Sequence, residues 1–187
     1  MRRLETACFT LEWGIKMARS AGAKTKRNKF TRMCIGESII ALMHETPYDD
    51  IKISDVARKA GVSRMTFYQY YATKEEALSD YLDEIVEEYI ETEGGNIKTH
   101  TLTYDNVLRA LKFFDRYSDF FLSLVDARRH SFVMDAVNDY VAQYLMPENP
   151  RSRYELYYHA GALFNVFLQW EVTGKQEPVE EIAKLFV

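Results

Sequence analysis

Arg64, Met65, Thr66 and Gln69 fall in one short run whose residue types suit the reading of nucleic-acid base edges. A guanidinium fork matches the two acceptors of guanine, a carboxamide pairs with adenine, and threonine offers both a hydroxyl and a methyl. Met65 makes no polar base contact and suits a thymine methyl. Residues at the start of a recognition helix point into a groove, and Gln69, one turn after Met65, shares its face. Catalytic chemistry finds no comparable grouping. His44, His100, His130 and His159 are far apart and give no metal-ligand spacing. Neither a phosphate-binding glycine loop nor a nucleophile elbow occurs. Glu84, Glu87, Glu88 and Glu91 form an acidic ridge, but no Glu-x-x-His accompanies it, so it reads as a solvated helix face. We therefore expect no catalytic residue, no metal and no cofactor.

The elements that must position these side chains lie in KISDVARKAGVSRMTFYQYYATK, residues 52–74. Ser54 is placed to cap a first helix running through Ala57 to Ala60, and Gly61 supplies the left-handed stop. Ser63 is placed to cap a second helix from Arg64 to about Tyr71. Val56, Ala57, Val62 and Phe67 would join the two, with Tyr71 also in the core. Two short helices around a glycine turn form the arrangement that sets its second helix in a major groove. Ser54, at the amino end of the first helix, is expected to face a phosphate, and Lys59 is a further candidate. Thr73-Lys74-Glu75-Glu76 is a capping box. It opens a helix to Glu93 whose Ala77, Leu78, Tyr81, Leu82, Ile85, Val86, Tyr89 and Ile90 share one buried face.

The run VSRMTFYQYYATKEEAL resembles the recognition helix and following linker helix of the tetracycline-repressor (TetR/AcrR) family of bacterial transcription regulators. Residues 30–51 are similar to that family's first helix and turn, with Phe30, Cys34, Ile35, Ile39, Leu42 and Met43, then Thr46-Pro47-Tyr48. The resemblance spans residues 29–89; residues 1–16 have no counterpart in it. It implies that Tyr68 and Tyr70 lie near phosphates and that Lys74 clamps one, although Tyr70 also suits the core or its rim. Met65 departs from the family, which often has a small residue there. The resemblance further implies a small-molecule effector held between later helices.

Charge is segregated. Residues 1–74 carry 14 Lys/Arg against 7 Asp/Glu, and residues 75–187 carry 10 against 21. The basic half coincides with the helix-turn-helix, the footprint expected of a nucleic-acid binder. Lys16, Arg19, Lys24, Lys26, Arg27, Lys29 and Arg32 follow one another without an acid, as a disordered arm or one touching the DNA backbone. The stretch from Met17 resembles a usual lead-in, so Met17 competes with Met1 as the start. Cys8 and Cys34 build no disulfide or metal framework, Cys34 reading as a buried thiol, which fits a reducing cytoplasm; the resemblance implies a bacterial one, with the protein at the nucleoid when bound. No apolar run is long enough for a membrane span, and the start does not read as a signal peptide.

The second half is helical between breaks at Gly94-Gly95-Asn96 and Pro147-Glu148-Asn149-Pro150. Residues 118–126 suit a short helix, and Val179 to about Phe186 a last one. Its aromatic load suggests a pocket, with Phe114, Tyr117, Phe121 and Tyr140 as lining and Asn165 and Gln169 as polar handles. The alternative for those last two is hydrogen bonding across a dimer interface. Residues 154–172 are apolar almost all round, so one face needs a second copy of the chain; Tyr157, Phe164, Val166 and Phe167 are the expected interface.

The fold expected is all-α: a basic arm at 1–28, a helix-turn-helix DNA-binding domain at 29–89 including the start of the linker helix, and a helical ligand-binding and dimerisation domain at 90–187. The function expected is a homodimeric regulator, of the repressor type, on palindromic double-stranded operator DNA, answering to a small apolar or amphipathic effector. Two alternatives compete: a helical module that uses the motif for protein contacts, and a helical enzyme.

Overall fold

The computed structural model describes residues 26–93, 103–145 and 153–187. Residues 1–25 of the expected arm, Cys8, the Met17 start, His100 and both glycine and proline breaks lie outside the described residues, while residues 26–28, also assigned to the arm, open the first helix. Among those described, all regular structure is helical. The helices are α1 (Lys26–Met43), α2 (Ile53–Lys59), α3 (Arg64–Tyr70), α4 (Lys74–Glu93), α5 (Tyr104–Asp115), α6 (Ser118–Asp126), α7 (His130–Tyr140), α8 (Arg153–Val172) and α9 (Val179–Lys184). A 3₁₀ turn, Tyr48–Asp50, precedes α2, and a π-helical turn, Val141–Leu145, extends α7. No described helix is long and apolar enough to cross a membrane.

The first lobe stands on α1 crossing α4. The crossing is close because Gly36 of α1 faces the ring of Tyr81, where a Cβ would stand 2.6 Å from Tyr81 Cγ. Ile35, Ile39, Val56, Phe67, Tyr71 and Leu78 fill the core above it. Phe30 belongs to none of this. It is 71% exposed, since it sits a turn before the apolar stripe of α1 begins. Cys34 is half-buried rather than enclosed.

The second lobe packs α5–α9 against the far half of α4. Leu111, Phe113, Phe120, Phe121, Phe164, Phe167 and Trp170 form one aromatic interior continuous with the first lobe. Tyr81 bridges the two, its ring edge-on to Phe120 at 5.4 Å. Helix α4 therefore belongs to both lobes. Its Glu84 is not solvated as expected: it is 3% exposed, turned inward beside Tyr81 and Ile85.

Candidate nucleic-acid interface

Helix α2 ends in a complete glycine stop. Val62 N–H donates to Ala57 O at 2.9 Å, Gly61 N–H donates to Arg58 O at 3.2 Å, and Gly61 takes φ +68°. This pairing satisfies orphan carbonyls at a left-handed position. Ser63 then caps α3, its Oγ accepting from Thr66 N–H at 2.9 Å. Ser54 caps nothing. Helix α2 starts two residues earlier than expected, with Lys52 at the cap position and no side-chain bond there. Ser54 is exposed on the first turn. The box opening α4 is also rearranged: Thr73 Oγ1 accepts from Glu76 N–H, but Glu76 reaches back to Ala72 N–H.

Phe67 is fully buried and Tyr71 nearly so, which rotates the rest of α3 outward. Arg64, Met65, Tyr68 and Gln69 are exposed together, Met65 by 72% and Tyr68 by 55%. Thr66 is half-buried, its hydroxyl 2.9 Å from that of Ser63. Arg64 has no ion pair among the described residues. Tyr70 is turned to the rim, donating to Asn28 Oδ1 at 3.2 Å. Lys59 is exposed but pairs with Glu45 at 2.7 Å. Lys52, which the sequence did not single out, is exposed and unpaired among the described residues. Its signal was available: a lone cation immediately before the first motif helix.

Lys74 does not stand free to meet a phosphate. Its ammonium donates to the carbonyls of Tyr48, Asp49 and Ile51 at 2.5, 3.2 and 3.1 Å. It also lies 4.4 Å from the centre of the Tyr48 ring. All three donors are thus spent on closing the turn before α2. Behind α3 runs a partly buried polar chain. Tyr71 Oη donates to Asp80 at 2.6 Å, Arg32 makes a two-point bond to Asp80, and Arg32 and Lys29 both pair with Glu84, at 2.8 and 2.7 Å. Burial, then the Asp80 charge, push the Tyr71 phenol far above its ordinary pKa. Burial works against the Arg32 cation, but the bond to Asp80 outweighs it and raises its pKa. Lys29 is raised by its bond to Glu84. Arg32 and Lys29 thus tie α1 to α4 instead of extending a free basic arm.

Residues 35–79 match the family model described as bacterial regulatory proteins, tetR family. A stretch of 45 residues of the chain is 44% identical to the HTH-type transcriptional regulator EthR of Mycobacterium tuberculosis and its counterpart in Mycobacterium bovis. The helix-turn-helix region is thus similar to that of tetR-family regulators. The match spans 24% of this chain and about a fifth (21%) of the length of those relatives. The likeness of fold reaches further. The dihydroxyacetone kinase operon activator DhaS superposes with a TM-score of 0.55 at 20% identity, over 83% of this chain and 91% of that one. A tetR-family transcriptional regulator from Streptomyces coelicolor gives 0.54 at 20% identity, over 83% and 78%.

Beyond the matched region, the expected pocket and interface residues fall differently from their sequence assignments. Phe114, Phe121, Phe164 and Phe167 pack on one another, with ring centres 5.6–6.3 Å apart. Phe121, Phe164 and Phe167 are buried in the chain's own core, so Phe164 and Phe167 present no surface to a partner. Tyr117 donates to Glu88 at 2.6 Å, and burial followed by that carboxylate raises its pKa. Tyr140 alone of the expected lining residues borders a described hollow, one of only about 20 Å³. Asn165 and Gln169 are exposed, which removes them as handles within a pocket. With Tyr154, Tyr158 and Val172 they lie along one outward strip of α8; Val166 and Tyr157 are half-buried beside it.

The lobes are also pinned at their seam. Arg129, at the corner between α6 and α7, pairs with Asp49 at 2.6 Å and lies 4.4 Å from the Tyr48 ring centre. Tyr48 is thereby held between two cations, Lys74 and Arg129. His44, after α1, meets Asp119 of α6 at 2.9 Å. A third polar lock ties α5 to the end of α8. Lys175 pairs with Asp115 and, at 3.2 Å, with Glu171, whose side chain is 2% exposed. Burial and the neighbouring Asp115 push Glu171 up to about 7. Burial would raise Asp115 too, but the bonds from Lys175 and Glu171 hold it low.

Proposed function

We propose that the chain is a homodimeric transcription regulator that binds palindromic operator DNA through α3 and responds to a small effector. The observation that carries this is the outward face of α3. Arg64, Met65, Tyr68 and Gln69 project from a helix whose other side is fixed by Phe67 and Tyr71. Arg64 and Gln69 read base edges, Met65 meets an apolar base group, and Tyr68, Lys52 and Ser54 meet the backbone. Thr66, Lys59 and Tyr70 stand at the margins, and Lys74 braces the turn. A single motif of this size makes too few contacts for selective binding, so two copies act on two half-sites. Repression is the simplest outcome, by occupying the operator, and the site of action is the bacterial cytoplasm.

The dimer forms on the outward strip of α8, where Asn165 and Gln169 hydrogen-bond across the two-fold axis. Effector response follows from α4 being common to both lobes. A ligand that favours one tilt of α4 moves Asp80, and with it Tyr71 at the end of α3. The ligand must bind the non-operator arrangement more tightly, with a coupling of about 1–3 kcal/mol. The test is selection of bound sequences from random DNA with purified protein. A palindrome with a spacing near one helical turn is the expected result. Enrichment of no sequence would defeat this reading and favour a module for protein contacts.

A further inference from the structure

A cleft of about 360 Å³ opens at the seam between the lobes. That is the space of about a dozen water molecules at ~30 Å³ each, enough for a small organic molecule. Leu78, Leu124 and Phe132 give it apolar walls. Tyr48, Glu75, Arg128 and Asp135 give it polar ones. Tyr48 is 5% exposed, and its hydroxyl is buried beside the Glu75 carboxylate without a well-formed hydrogen bond among the described residues. Buried phenols normally find one. Arg129, also in the wall, is answered by Asp49. Arg128 and Asp135 have no ion pair or side-chain hydrogen bond among the described residues. Arg128 is held at φ 56°, a left-handed conformation that few residues with a side chain adopt.

These groups select the charge of an occupant. A simple anion would answer Arg128 and leave two carboxylates facing it. A simple cation would answer a carboxylate and leave Arg128 unmet. We propose that the cleft binds a small amphoteric molecule of the amino-acid type with an apolar side group. Its carboxylate takes Arg128 and the Tyr48 hydroxyl, its ammonium takes Asp135 and Glu75, and its side group lies on Leu78, Leu124 and Phe132. Tyr48 belongs to the turn that Lys74 and Arg129 hold at the foot of the helix-turn-helix, so an occupant there sits on the hinge between the lobes. That consequence alone rests on the regulator reading; the binding site does not.

The test uses the full chain without DNA, titrated calorimetrically with L-phenylalanine, L-leucine and L-tyrosine. The controls are 3-phenylpropanoate, which lacks the ammonium, and 2-phenylethylamine, which lacks the carboxylate. At least one amino acid binds once per chain, and phenylalanine binds at least about tenfold more tightly than either control, the size expected for a lost charged hydrogen bond. Arg128→Asn, which tolerates the left-handed backbone, brings phenylalanine and 2-phenylethylamine to equal affinity. Asp135→Asn narrows the gap to 3-phenylpropanoate. Tyr48→Phe weakens phenylalanine about tenfold yet leaves the melting temperature of the empty protein close to wild type, because the lost hydroxyl makes no well-formed bond in the empty cleft. The site is overturned if no amino acid binds below about 1 mM, if a singly charged control binds as well, or if the three substitutions leave affinity unchanged. A chain that binds no operator could still pass this test, and one that binds operator could fail it.

Discussion

At the scale of single residues, the division is between side chains turned outward from α3 and those that brace it. Arg64 has no competing partner among the described residues, so its loss should be felt at the DNA and nowhere else. Arg64→Ala should weaken operator binding by about 1–3 kcal/mol and relax preference at one base position, with the melting temperature unchanged. Binding and preference equal to wild type would remove α3 as the reading helix. Lys74 should behave in the opposite way. Its ammonium satisfies three backbone carbonyls, so Lys74→Met should cost stability of about 1–3 kcal/mol. The slope of log K against log salt should then fall by less than half of the ~0.9 that one phosphate contact is worth. A full loss of slope with unchanged melting would restore the phosphate clamp that the sequence resemblance implied. The sequence made Lys74 conspicuous but could not say what it touches, because the carbonyls it meets are more than twenty residues earlier. Arg32 and Glu84 were misread for the same reason. Each looks like a surface charge in its own helix, and only the crossing of α1 and α4 makes them a buried pair. One local signal was present: Glu84 falls between Tyr81 and Ile85 on the buried stripe.

At the scale of elements, the helix order and most of the turn chemistry were legible because they are local, although Ser54, just as local, caps nothing. Gly61, Ser63 and Thr73 act within four residues of themselves. The crossing of α1 and α4 was not, since it depends on the absence of a side chain at Gly36. Gly36→Ala places a methyl against the Tyr81 ring and should destabilise the chain by about 1–3 kcal/mol, the usual cost of overpacking, read as a lower melting temperature. Because Tyr81 also contacts Phe120, the effect should reach the second lobe, and a single cooperative transition should be retained. An unchanged melting temperature would mean that the helices do not cross here. The lock at Asp115, Glu171 and Lys175 gives a pH test of how α5 and α8 are joined. Glu171 is raised above its ordinary 4.5 to about 7. A carboxyl raised on folding stabilises fully below its unfolded value and loses that contribution as pH rises through its folded value. Asp115, held low, contributes in the opposite sense and loses its contribution only on stronger acidification. Melting temperature should therefore fall as pH is raised from about 5 to about 8, and Glu171→Gln should flatten that fall. A slope unaffected by the substitution would place the titration elsewhere.

At the scale of the whole molecule, the sequence showed that 154–172 is apolar all round but not which side meets its own chain. The answer lies in partners the local pattern cannot reveal. Phe114 and Phe121 arrive from α5 and α6 and take Phe164 and Phe167 into the core. The face left over carries Tyr154, Tyr158, Asn165, Gln169 and Val172, three of them large hydrophobics exposed by 54–73%. Between Tyr158 and Asn165 come Gly161 and Ala162, small enough for a second helix to approach closely. A two-fold contact places the same strip on both copies, so a charge introduced once appears twice, near its own image. Tyr158→Glu should convert a two-chain mass to a one-chain mass by light scattering at micromolar protein, with helical circular dichroism and melting temperature close to wild type. Operator affinity should fall with it, since each half-site would then be bound alone. Phe167→Glu should do something different: a carboxylate in the aromatic interior is a buried unpaired charge, and the chain should lose its cooperative melting. The contrast separates a core position from a surface one on the same helix. Should Tyr158→Glu remain a dimer with wild-type affinity, the two-fold axis lies off α8; should the unmodified chain be a monomer, the pairing of two reading helices is wrong.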